Sequence, residues 1–132
     1  MGHNGNNCNT QGTNADICNT QGTSGAIVRN HNHEFLSSTD FERDEARELH
    51  NHRIASVTGP PIIAGRSHVH KIDVLTDTFH DHFHRICDTT GPALYLPSGK
   101  HVHLVKGETT NNDGHDHDYY FVTLIDDPTN IP

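Results

Sequence analysis

Polar and apolar positions alternate in short runs along most of this chain, and the alternation carries a repeated signature. Six lines, each opening on His-X-His, read HNHEFLSST from His31, HNHRIASVT from His50, HVHKIDVLT from His68, HFHRICDTT from His82, HVHLVKGET from His101 and HDHDYYFVT from His115. The fifth position is apolar or aromatic in every line: Phe35, Ile54, Ile72, Ile86, Val105 and Tyr119. The ninth is always threonine: Thr39, Thr58, Thr76, Thr90, Thr109 and Thr123. Alternate residues of a strand share a face, so each line would aim two imidazoles and one apolar side chain the same way. Val, Ile, Thr and Tyr fill the lines and Gly, Pro and Asn the joints, which predicts short strands.

The lines pair into larger units. Thr58-Gly-Pro and Thr90-Gly-Pro each lead through a short apolar strand and a Gly/Ser turn into the next His-Val-His. Each unit is thus two His-X-His strands and a connecting strand, with boundaries at 31–67, 68–100 and 101–132, the last copy incomplete. The expected fold is all-β: a small pseudo-threefold domain, barrel- or prism-like, of three hairpin-plus-strand repeats. Asn112-Asp113-Gly114 marks a turn in the last hairpin. One short helix is expected near 40–49. Thr39 with Glu42 fits a capping box, and Phe41–Leu49 consists largely of good helix formers. The two His-X-His motifs of the first unit lie 19 residues apart, against 14 in the others. The helix therefore reads as an insertion with a solvated charged face.

Residues 1–30 form a separate N-terminal arm, rich in Asn, Gly, Thr and Gln. A decapeptide starting at Cys8 is followed by a second at Cys18, identical at seven of ten positions. An even period puts Cys8 and Cys18 on one face of an extended chain and Ile17 and Ile27 on the other. The arm is either a flexible low-complexity tail or an extended segment that docks on a neighbouring subunit. Cys8, Cys18 and Cys87 make an odd count, which leaves at least one thiol free or paired between chains. Cys8 or Cys18 with Cys87 of a neighbour is the candidate intersubunit disulfide.

Composition adds limits. A chain of 132 residues suits one domain, and 31% hydrophobic content with a mean hydropathy of -0.71 implies a thin core. Metal ligation, cross-links or subunit contacts are the usual supplements. The formal charge of -8 argues against a nucleic-acid partner. Protonation of all fourteen histidines would turn that charge to +6. No apolar run is long enough to span a bilayer, and the first residues lack the features of a secretory signal. The expected location is extracellular or on a cell or spore surface, with the cytoplasm as the alternative.

Thirteen of the fourteen histidines belong to the clusters: His31, His33, His50, His52, His68, His70, His80, His82, His84, His101, His103, His115 and His117. On a strand, the i and i+2 imidazoles can converge on one ion, whereas a helix would splay them. All thirteen are candidate ligands. Two adjacent His-X-His strands supply four nitrogens. One such strand with a carboxylate such as Glu34, Asp81, Asp116 or Asp118 gives three, and those acids could instead hold a ring from behind. Three units predict up to three sites related by the pseudo-threefold, with His80, His82 and His84 able to serve two at once. The ligands fit zinc, copper, nickel or iron, not calcium or magnesium. The competing reading is a pH-sensitive or hydrogen-bonded histidine layer. Catalysis has weaker support, because ligands spread over three units suit storage, sequestration or bracing better than one asymmetric centre. Cys87 reads as a buried small hydrophobe or a cross-link point before an activated thiolate.

His-Glu-Phe-Leu at 33–36, His-Asn-His-Arg at 50–53, His-Val-His-Lys at 68–71, Asp-His-Phe-His-Arg-Ile-Cys at 81–87, Gly-Lys-His-Val-His at 99–103 and Asn-Asp-Gly-His-Asp-His at 112–117 resemble the bacterial YmaF family. The resemblance covers residues 31 to about 127 and implies a small His-rich domain. Cys87 coincides with the family cysteine, while the arm lies outside the pattern. Three functions follow as expectations. The first is a metal-binding structural protein that self-assembles into a fibre or surface layer through its arm. The second is a soluble metal-storage or sequestration protein, and the third a metalloenzyme.

Overall fold

The computed structural model describes residues 29–129, and every regular element among them is a strand. Residues 1–28, with the decapeptides, Cys8 and Cys18, lie outside the described residues. The six lines give the main strands: β1 (Glu34–Ser38), β4 (Arg53–Val57), β6 (Ser67–Leu75), β7 (Arg85–Thr89), β9 (His101–Glu108) and β10 (Asp118–Val122). Within each unit they pair antiparallel, β1 with β4, β6 with β7 and β9 with β10. The connecting strands β5 (Pro61–Ala64) and β8 (Ala93–Tyr95) bond forward to β6 and β9. Their turns use Gly65 and Gly99 at φ of 63° and 93°, where glycine carries no Cβ penalty.

Among the described residues the sheets are four small open ones, and none closes into a barrel. Three strand pairs instead stand around a common axis as the sides of a prism. Backbone bonds join neighbouring pairs at both ends. At one end they run from Gly59 N–H to Lys71 O, Gly91 to Leu104 and Leu124 to Glu34. At the other they run from Asp77 to Arg53, Thr110 to Arg85 and Asp40 to Asp118.

The registers explain the core. Position five of each line faces position seven of its partner: Phe35 faces Ser56, Ile72 faces Asp88, and Val105 faces Phe121. The six position-five residues are all buried, and with Phe121 they form one apolar layer across the axis. Phe35 and Phe121 stack there at 5.4 Å. At position seven Gly107 lies under the bond from Tyr119 O–H to Asp88 Oδ2, 2.7 Å long; a Cβ there would collide with both partners. The layer is one side chain deep, which is the thin core the composition implies.

The helix expected near 40–49 does not form. That stretch is a hairpin of β2 (Glu42–Arg43) and β3 (Leu49–His50). Phe41 and Leu49 are exposed, so no apolar stripe anchors a helix, and a segment this short does not sustain one alone. Thr39 Oγ1 caps nothing: it accepts the His52 backbone N–H at 3.0 Å and donates to Asp40 O. Asp44 Oδ1 accepts the Glu48 N–H at 2.8 Å, and Arg47 takes a φ of 69° to close the turn. The other units make the same connection tightly, with bridges Phe79–His82 and Asn112–His115. The Asn112-Asp113-Gly114 turn is where the sequence puts it, with Asp113 and Gly114 at positive φ.

Candidate metal centres

Each His-X-His opens its strand, and the strands of a unit are antiparallel. The two motifs of one unit therefore lie at opposite ends of the prism: His33 pairs with Thr58, and His52 with Thr39. Each end instead collects one motif from every unit. His31, His33, His68, His70, His101 and His103 gather at the first end. His50, His52, His84, His115 and His117 gather at the second. His82 completes that set, its Nε2 being 3.1 Å from His50 Nε2 and 3.3 Å from His52 Nε2. The expectation of up to three sites thus becomes two candidate clusters on the axis, separated by the apolar layer.

Both clusters have the same internal geometry. At the first end, every ring lies edge-to-face against all the others except one, with centroids 4.5–5.1 Å apart. The exceptions form three opposed pairs: His31 with His103, His33 with His68, and His70 with His101. The second end repeats this at 4.7–5.1 Å, with opposed pairs His50/His84, His52/His115 and His82/His117. Six bodies that each touch four and oppose a fifth sit at the corners of an octahedron.

The hydrogen bonds fix which nitrogen faces inward. Nδ1 of His33, His70 and His103 donates to the carbonyls of Leu124, Gly59 and Gly91 at 2.8–2.9 Å. Nδ1 of His52, His84 and His117 donates to those of Asp77, Thr110 and Asp40 at 2.9–3.0 Å. In a neutral imidazole the other nitrogen, Nε2, then carries a bare lone pair. Nε2 of His70, His84, His103 and His117 is buried without a hydrogen-bond partner. His101 Nε2 sits 3.0–3.2 Å from Nε2 of His31, His33 and His68. Buried orphan acceptors converging at this spacing are unfavourable unless a cation or shared protons lie among them.

The threonines hold this arrangement. In every line Thr Oγ1 accepts the backbone N–H of the second histidine of a motif, at position three of its line, at 3.0–3.1 Å. The residue after each threonine offers the carbonyl that takes a histidine Nδ1–H. At the first end the circuit closes on itself. His33 bonds beyond Thr123, which holds His103; His103 bonds beyond Thr90, which holds His70; His70 bonds beyond Thr58, which holds His33. Sequence reasoning saw the invariant threonine without its role; its fixed offset from His-X-His was the available signal.

A profile described as spore germination protein GerY/YamF matches residues 28–125. The chain belongs to the YmaF family. Comparison with curated proteins and with solved structures gives no match.

Burial, one outlying histidine and the nearby carboxylates complete the description of the clusters in this YmaF domain. Burial pushes His70 and His84 down to about 3, and His68, His101, His103 and His117 down to about 4. His33 and His52 are lowered for the same reason. His80 joins neither cluster: it is a turn residue at φ 55°, exposed and stacked on Phe79 at 4.3 Å. The carboxylates behind the rings are mostly not those singled out from sequence. Asp126 Oδ1 lies 3.2 Å from His101 Nδ1, and Asp77 Oδ1 lies 3.3 Å from His52 Nδ1. Asp81 and Asp113 lie 3.5 and 3.6 Å from His82 Nδ1. Glu34 and Asp118 are exposed strand residues, and Cys87 is buried with Sγ 3.7 Å from Asp73 Oδ1.

Proposed function

We propose that this protein is a transition-metal-binding structural protein in which each six-histidine cluster holds one ion. The observation that carries the reading is the convergence of buried Nε2 lone pairs, with Nδ1–H groups turned outward onto carbonyls. That is how a protein prepares imidazole for a metal and orients it from behind. Each ion would draw on all three units, so metal would tie together a prism whose apolar layer is thin. Enclosure of the rings favours bracing over storage, since a storage site must release its cargo.

The proposal extends to assembly. The arm, through its two decapeptides, would join such domains into a fibre or surface layer. Support comes from the arm's composition and the exposed apolar side chains Leu36, Tyr120 and Val122 on the outer faces. The name of the family's profile suits a cell- or spore-surface location. Removal of residues 1–30 is expected to leave a metal-loaded monomer while the full chain forms larger species. Light scattering with non-reducing electrophoresis decides this. Full-length material that stays monomeric under oxidising conditions would refute the assembly and leave the soluble metal-binding reading.

A further inference from the structure

The two clusters allow the ion's coordination to be read, and this step rests on the proposed metal binding. We infer that each end holds a six-coordinate divalent cation with a complete shell of six imidazole nitrogens, of the Ni2+, Co2+ and Fe2+ class. Three Nε2–Nε2 edges are 3.0, 3.1 and 3.2 Å at the first end, and three are 3.1, 3.2 and 3.3 Å at the second. An octahedron with edges of 3.0–3.3 Å has its centre about 2.1–2.3 Å from each corner, slightly beyond the zinc–imidazole bond of about 2.0–2.1 Å. At the first end all six donor nitrogens lie within 4.8 Å of one another, as the opposed corners of such an octahedron require; at the second end five do, and His82 approaches His50 and His52 at 3.1 and 3.3 Å.

The donor count then selects the ion. Zinc prefers four ligands in a tetrahedron and would leave two buried nitrogens unsatisfied at each end. Cu2+ favours a tetragonal field, which would stretch one opposed pair out of a frame that holds all three pairs alike. Calcium and magnesium take oxygen. The threonine-and-carbonyl circuit fixes one triangular face of each octahedron, His33/His70/His103 and His52/His84/His117, so the frame resists collapse to fewer ligands. Six protein ligands leave no position for water or substrate. The ion is therefore a cross-link rather than a Lewis-acid centre.

The test is Co2+ titrated into the metal-free full chain and followed by optical absorption. The expected result is two ions per chain with the weak ligand-field bands of six-coordinate Co2+, unchanged when azide is added. In the His70→Ala variant azide is expected to perturb one of the two sites. Intense tetrahedral bands, or an azide response in the wild-type protein, would overturn the saturated octahedron while leaving metal binding intact. No uptake of Co2+, with no uptake of any ion from a mixture of first-row divalent metals, would overturn both this inference and the proposed function.

Discussion

At the residue scale, a threonine hydroxyl in every line holds the second histidine of another motif by its backbone N–H. The i, i+2 spacing identifies inward-facing imidazoles, and twelve of the thirteen candidates do reach a cluster. His80 is the exception because its position in a two-residue turn demands a left-handed backbone. Asp126 and Asp77 carry no local signal because they reach the rings from loops that follow other lines. Thr76→Val keeps the shape but removes the oxygen that accepts the His84 N–H and the hydroxyl that donates to Asp77 O. It is expected to lower stability by about 1–3 kcal/mol in denaturant melts. It should also weaken metal affinity at the second end by about 10- to 100-fold. An unchanged affinity would mean that the threonine supports only the fold. Protonation gives a second outcome. Imidazoles held at about 3 to 4 in the metal-free fold return to near 6.5 when the chain unfolds. The unfolded chain then binds more protons between those values. Stability is full above pH 6.5 and falls as pH drops towards 4, by about 1.4 kcal/mol per pH unit for each such group. Circular dichroism of metal-free protein should show acid unfolding in that window, and metal should move it to lower pH. A metal-free fold indifferent to pH between 6.5 and 4 would contradict the burial argument.

At the element scale, strand content followed from the six lines, since positions one, three, five and nine face inward as period two requires. The error over 40–49 has a physical source. Helix propensity describes a segment that is free to choose, whereas this one must return His50 antiparallel to its partner. Local preference lost to the geometry of closure. The hairpin is thus an elaborated turn that contributes no ligand before His50. Replacing Phe41–Leu49 by Asn-Asn-Asp-Gly, the turn used before His115, is expected to preserve the fold and both metal sites, with only a small change in melting temperature. Loss of a metal equivalent in that variant, measured by elemental analysis, would show that the hairpin shapes the second cluster. Gly107 makes the opposite case. Gly107→Ala is expected to destabilise the domain, because the Tyr119–Asp88 bond occupies the space of its Cβ.

At the scale of the whole molecule, the threefold repeat was plain in the sequence, but the number of sites was not. The repeat allows up to three sites, and the two motifs of a unit are neighbours in sequence. Antiparallel pairing separates them by the length of a strand, so each motif meets its counterparts from the other units instead. Such grouping depends on how the three pairs close around the axis, and no local pattern encodes it. The result is a layered prism with histidines at both ends and one apolar sheet of side chains between. The most direct test is the metal content of three proteins, measured by native mass spectrometry after loading with Ni2+. Wild type is expected to hold two ions. A first-end variant, His33→Ala with His103→Ala, and a second-end variant, His52→Ala with His84→Ala, are each expected to hold one. Three ions in the wild type, or loss of both ions from either variant, would contradict two independent six-histidine centres on a common axis.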